Sequence, residues 1–138
     1  MNAMTQEQKS ILYKDLCARL PYGVILQVTL KDKYDEVVTR DIRLTSGNIS
    51  YLEQTSGHWF EYKPYLRPMK SMTKSEKEEI RRIKESICSY GVLPGTIKID
   101  DEQLSILYNF YNKHHLDYCN FISKSIAIEA TKDMYNNL

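Results

Sequence analysis

The sequence predicts an α+β fold: an N-terminal helix, a small antiparallel SH3-like sheet or barrel, and a helical C-terminal half packed against it. Three observations predict it. Apolar residues recur at helical spacing before Pro21, alternate with polar ones from Val24 to Tyr62, and return to helical spacing after Pro68. A chain of 138 residues buries a core without metal or disulfide staples, so a single compact domain is expected over 1–138. Within it the reading places a helix at 5–20, a β half at 22–68 and an α half at 69–138.

Thr5-Gln6-Glu7-Gln8 is a capping box: a threonine side chain accepts from the third helical amide while the glutamine reaches back. Leu12, Leu16 and Leu20 follow as one stripe, and Pro21 is expected to end the helix. Val24, Leu26, Val28 and Leu30 then alternate as the inner face of a strand. A polar turn at 31–35 leads to a second strand carrying Val38, Ile42 and Leu44. Ile49-Ser50-Tyr51-Leu52 reads as a third strand and Trp59-Phe60-Glu61-Tyr62 as a fourth, with turns at 45–48 and 55–58. Tight turns between four short strands predict an antiparallel meander.

Thr73 and Glu76 form a second capping box, and Ile80, Ile83 and Ile87 make one stripe on the helix that follows. Gly91 and Pro94-Gly95 end it, and Thr96–Ile99 reads as a short extended piece. Asp100 caps a third helix on which Leu104, Leu107, Tyr108, Tyr111 and His115 share a face and Ile106 and Phe110 widen it. A helix apolar over most of its girth is central to a core or covered by a partner. Asp117 is expected to cap a last helix with Tyr118, Phe121 and Ile122 facing in. Ile126–Ala130 fits a helix or a strand equally well.

Composition narrows the function. A net charge of +1 gives no overall electrostatic case for a nucleic-acid or membrane partner, and no apolar run has the length of a membrane span. Three widely spaced cysteines, Cys17, Cys88 and Cys119, argue against a disulfide framework and for reduced thiols in a cytoplasm; Cys17 and Cys88 are expected to be buried and inert. No secretion signal opens the sequence. His58, His114 and His115 lack metal-ligand spacing, and His115 is expected to be a hydrogen-bonded core histidine. No nucleophile motif, phosphate loop or dinucleotide fingerprint occurs, so neither catalytic residues nor cofactors are expected. Asp100-Asp101-Glu102 is explained by the N-terminal end of a helix dipole.

Two features favour binding. Tyrosine is abundant at 11 residues, and its apolar ring with a polar tip suits interfaces as well as sheet faces. Between Lys63 and Lys84, eight basic residues face Glu76, Glu78 and Glu79, a local excess of five positive charges. Trp59, Tyr62 and Tyr65 lie beside that stretch.

Three blocks carry a family resemblance: residues 4–9 with 14–24; Lys63-Pro64-Tyr65-Leu66-Arg67-Pro68-Met69 through Thr73; and 114–118 continuing to 126–130 and 133–135. Through them the chain resembles a family of small uncharacterised proteins carried on prophages and other mobile elements of gut Bacteroidales-type bacteria. The resemblance implies a bacterial or phage cytoplasmic setting and brings no activity or site residues.

The expected function is therefore a non-enzymatic interaction module of a phage or mobile element, with an unidentified protein partner and room for a homo-oligomer. Its candidate surface is Trp59, Tyr62, Lys63, Tyr65, Arg67, Tyr111 and His114. The alternatives are a weak nucleic-acid-binding protein using the basic stretch 63–84, and an enzyme with an unrecognised site.

Overall fold

A computed structural model describes residues 4–52, 59–88 and 101–135. The fold is α+β. Helix α1, Gln6–Arg19, starts at the Thr5 capping box, in which both reciprocal hydrogen bonds form. Pro21 does not push Leu20 out of the helical region. Leu20 keeps φ −51°, ψ −46°, and the chain continues through a 3₁₀ turn, Leu20–Tyr22. Proline at the start of a turn costs no donor that the turn would use. Gly23, left-handed at φ 69°, makes the actual stop, and a Cβ there would lie 2.5 Å from Arg43 Nη1.

Strands β1, Ile25–Lys31, and β2, Val37–Arg43, form the expected hairpin. Asp32 shapes its turn by accepting from the amides of Tyr34 and Glu36, with Asp35 left-handed at φ 64°. Ile49–Leu52 is not a strand but a 3₁₀ turn. Asn48 decides this: its side chain accepts from Thr45 N and donates to Arg43 O, and the amides of Ile49 and Tyr51 bond back to Thr45 and Asn48. Strand β3, Trp59–Leu66, then returns to β1 on the side away from β2.

The sheet is mixed rather than an antiparallel meander, and it is open rather than a barrel. Its order is β2-β1-β3-β4, where β4 is Ile128–Glu129, parallel to β3. That resolves the 126–130 ambiguity in favour of a strand. No helix follows Asp117: residues 117–125 form turns, with Asn120 and Ser125 left-handed at φ 60° and 62°. Two left-handed residues break any helical run. Asp117 still caps, accepting from the amides of Phe121 and Ile122 at 2.8 and 2.9 Å.

Helix α2, Lys74–Cys88, begins at the Thr73–Glu76 capping box, and helix α3 is Asp101–Lys113. The expectations for Thr55–His58, Gly91, Pro94-Gly95, Thr96–Ile99 and Asp100 lie outside the described residues. Two cores result. One packs α1 and residues 121–127 on the sheet through Leu12, Leu16, Leu26, Val28, Leu66 and Phe121. The other joins α2 to α3 through Ile80, Leu107, Phe110, Tyr111 and Leu116.

A tyrosine completes the sheet. The β1–β3 ladder stops at Leu26↔Pro64, one step before Ile25 would face Tyr65. There the Tyr135 hydroxyl enters the seam. It accepts from Ile25 N at 2.9 Å and donates to Tyr65 O at 2.7 Å. Its ring stacks on His115 with centroids 3.6 Å apart.

Candidate functional site

The surface expected from sequence is not assembled as a surface. Trp59, Tyr62, Tyr65 and Tyr111 are buried. Trp59 packs edge-on against Tyr51, and Tyr62 donates to Leu52 O. The Tyr65 hydroxyl donates to Asp41 at 2.7 Å and accepts from Gln27 Nε2. Tyr62 and Tyr65 serve the core because each hydroxyl finds a partner at its edge. Lys63 lies half-buried, 3.9 Å from Glu61.

Arg67 and His114 are brought together, by Glu76. Arg67 grips both Glu76 carboxylate oxygens at 2.8 and 2.7 Å and also donates to the carbonyls of His114 and Ser71. His114 Nδ1 lies 3.0 Å from Glu76 Oε2. The Arg67 hydrogen bonds, with help from the Thr73 amide, pull the Glu76 carboxyl down to about 2. Burial lowers the pKa of His114 more than Glu76 raises it, so the imidazole is neutral at pH 7 and its N–H donates to the carboxylate. Arg67 is thus a bracket between β3, α2 and the end of α3, and the charge expected on the candidate surface is consumed internally.

Arg19 performs a similar role deeper in. It is 0% exposed, donates to Asp15 at 2.7 Å and to Leu116 O at 2.7 Å, and lies over the Tyr118 ring. Burial pushes the Asp15 carboxyl up, and Arg19 pulls it back. His115 is buried beside this pair, but it lies beyond the helix and its ring makes no hydrogen bond among the described residues. Its φ is 58°, and both ring nitrogens lack a partner among the described residues. Desolvation, with Arg19, His114, Arg43 and Arg67 around it, pushes it down to about 4. Asp15 and Arg19 stand four apart in the sequence, which was the available signal for the pair; the depth of burial was not readable there.

An open groove of about 730 Å³ lies between α1, α2, α3 and the 118–119 loop. Its lining includes Lys84, Ser105, Tyr108, Asn109, Tyr111, Asn112 and Tyr118. The three phenol rings form a continuous stack, Tyr118 lying 5.4 Å from Tyr108 and 5.2 Å from Tyr111. Contrary to the helical-wheel reading, Tyr108 and Ile106 are 42% and 53% exposed, while the polar Asn112 is buried. Burial raises Tyr111 and Cys119 and pushes Tyr118 up to about 12, so these groups stay protonated at neutral pH. The groove offers aromatic faces, hydroxyls and amides, without an activated base or nucleophile among those three. Cys17 is exposed on α1 rather than buried, and the Cys88 side chain lies outside the described residues.

Among the described residues no group of three metal-ligating side chains converges, and no helix is long and apolar enough to cross a membrane. The basic stretch is largely neutralised where it forms α2: Arg81 pairs with Glu78 and Glu85, and Arg82 approaches Glu78. Lys74, Lys77 and Lys84, with Arg81, still fall on one helical face. No protein-family model, curated protein or solved structure matches the chain.

Proposed function

We propose that this chain is a non-enzymatic interaction module that docks a short segment of a protein partner in the α3 groove. The prophage-type resemblance of its sequence suggests a phage or mobile-element setting in a bacterial cytoplasm. The observation that carries the reading is the groove's lining. Stacked phenol faces accept an apolar anchor, Ser105, Asn109 and the tyrosine hydroxyls serve a peptide backbone, and Lys84 suits a carboxylate. Exposed Ile106 and Tyr108 extend the apolar surface beyond it.

The test compares captured partners. Ile106→Glu and Tyr108→Glu should each abolish capture of a specific host protein that the wild type retains, with circular dichroism unchanged. Retention of every partner by both variants would exclude the groove. Trp59 and Tyr65 substitutions act through folding and serve as contrasts.

A second reading rests on Lys74, Lys77 and Lys84, which share one face of α2 and suit phosphates. Weak nucleic-acid binding there would weaken linearly on a log–log salt plot, and no binding at low salt rejects it.

A further inference from the structure

The outer edge of β2 carries no backbone partner among the described residues. Two hydrogen bonds set which backbone groups face outward. Leu44 N donates to Val24 O, and Asp32 N donates to Glu36 O, in the same register as β1–β2. Pairs of this kind alternate along an antiparallel ladder. Even-numbered residues of β2 therefore point their backbone groups at β1, and Val37, Thr39 and Asp41 point theirs outward. Among the described residues no backbone group bonds to these three from the outer side. The edge is seven residues long, against two for β4 at the other edge. Tyr34 and Val37, at this end of the hairpin, are 72% and 63% exposed.

Charge selects the occupant and the register. We propose that two copies of the chain join their β2 strands antiparallel about a two-fold axis at Val38. In that register Val38 meets the second copy's Val38. Val37 and Thr39 face each other twice, as two pairs of β-branched side chains. Glu36 faces Arg40 twice, as two pairs of opposite charge. Neither Glu36 nor Arg40 has an ion-pair partner within its own chain among the described residues. Beyond Glu36 this register brings Asp41 toward Asp35, which sits in the turn with a left-handed backbone rather than in the strand. On the Arg43 side the registers fail: an axis at Arg40 opposes two arginines, and one at Asp41 opposes two aspartates. An axis at Thr39 sets Arg40 against Val38 and leaves Glu36 against Ile42. Sliding further toward Arg43 is blocked, because Asn48 Nδ2 already occupies the Arg43 carbonyl. The product is one eight-stranded sheet. This edge shares no residue with the α3 groove, so the inference stands independently of the partner-docking reading.

So short an edge buries less than a standard interface of roughly 800 Å² per partner, so association should be weak and concentration-dependent. Sedimentation equilibrium from 10 µM to 1 mM, roughly the range of weak self-association, tests it. The wild type should shift from monomer to dimer. Glu36→Arg and Arg40→Glu should each weaken the dimer by about tenfold or more, and the double reversal should restore it. Thr39→Pro should abolish the dimer while leaving the β1 ladder intact, because the amide it removes faces outward. Wild type monomeric at 1 mM, or a dimer indifferent to single reversals and to Thr39→Pro, overturns the proposal.

Discussion

The two cores are made differently. The sheet core is aliphatic and closed: Leu12, Leu16, Leu26, Val28 and Leu66 reach zero exposure, and backbone ladders hold the strands above them. The α2–α3 core is aromatic and half-open. Phe110 and Tyr111 retain a little surface, Tyr108 a good deal, and side chains alone join its helices. The comparison teaches a division of labour. The sheet side closes over its side chains, and the helical side leaves Tyr108 at the surface. Arg19 links the halves, since it lies in α1 of the first core and bonds Leu116 of the second.

That link gives the largest expected effect. Arg19→Ala strands a buried Asp15 and should cost about 3–5 kcal/mol in urea unfolding, lowering both cores together. Replacing the pair by Asp15→Leu with Arg19→Met should recover most of the loss. If only one core responded, the halves would be separable units.

Acid distinguishes the two sides next. His115 is held neutral, with its folded value lowered from 6.5 to about 4. Its contribution is complete above pH 6.5 and is lost as pH falls from there to 4. At about 1.36 kcal/mol per pH unit the gap is worth about 3 kcal/mol. The Glu76 carboxyl is lowered from 4.5 to about 2, so its contribution disappears in a more acidic window, from pH 4.5 to 2. Stability measured against pH should therefore fall in two stages, and His115→Gln should flatten the upper one. Burial also lowers His114, so it too loses stability as pH falls below 6.5, and His114→Gln separates its part.

Tyr135→Phe tests the sheet alone. It leaves Ile25 N–H and Tyr65 C=O without their shared partner and should cost about 1–3 kcal/mol, with faster amide exchange at Ile25. Thr73→Ala tests the helical side alone. Losing the α2 cap should cost about 1 kcal/mol and speed exchange in the first turn of α2. Smallest is the effect of Ile106→Glu on stability, within about 0.5 kcal/mol, since that side chain packs on little.

What could be read from sequence follows how local each decision is. Both capping boxes involve residues three apart, and both form as expected. Strands β1 and β2 show in their alternation because each has one covered face. Ile49–Leu52 alternates equally well, yet Asn48 coils it through bonds that no periodicity encodes. The candidate tyrosines failed as a surface for the same reason. Whether a tyrosine tip meets water or a buried carbonyl depends on partners such as Leu52 and Asp41, which folding alone brings near. The α3 groove was half legible. Its helix looked too apolar to stand alone, but which side stays exposed depends on how α2 and the 118–119 loop lie against it, and His115 falls beyond its end with a left-handed backbone.

The Tyr135 hydroxyl in the β1–β3 seam has a consequence for how the molecule is made. It joins residues 110 and 70 positions apart, so the strands at Ile25 and Tyr65 wait for an atom synthesised long after both of them. A nascent chain ending at residue 66 holds three of the four strands and still lacks the group that satisfies their junction. In such a chain water has to serve Ile25 N–H and Tyr65 C=O until the Tyr135 hydroxyl takes its place.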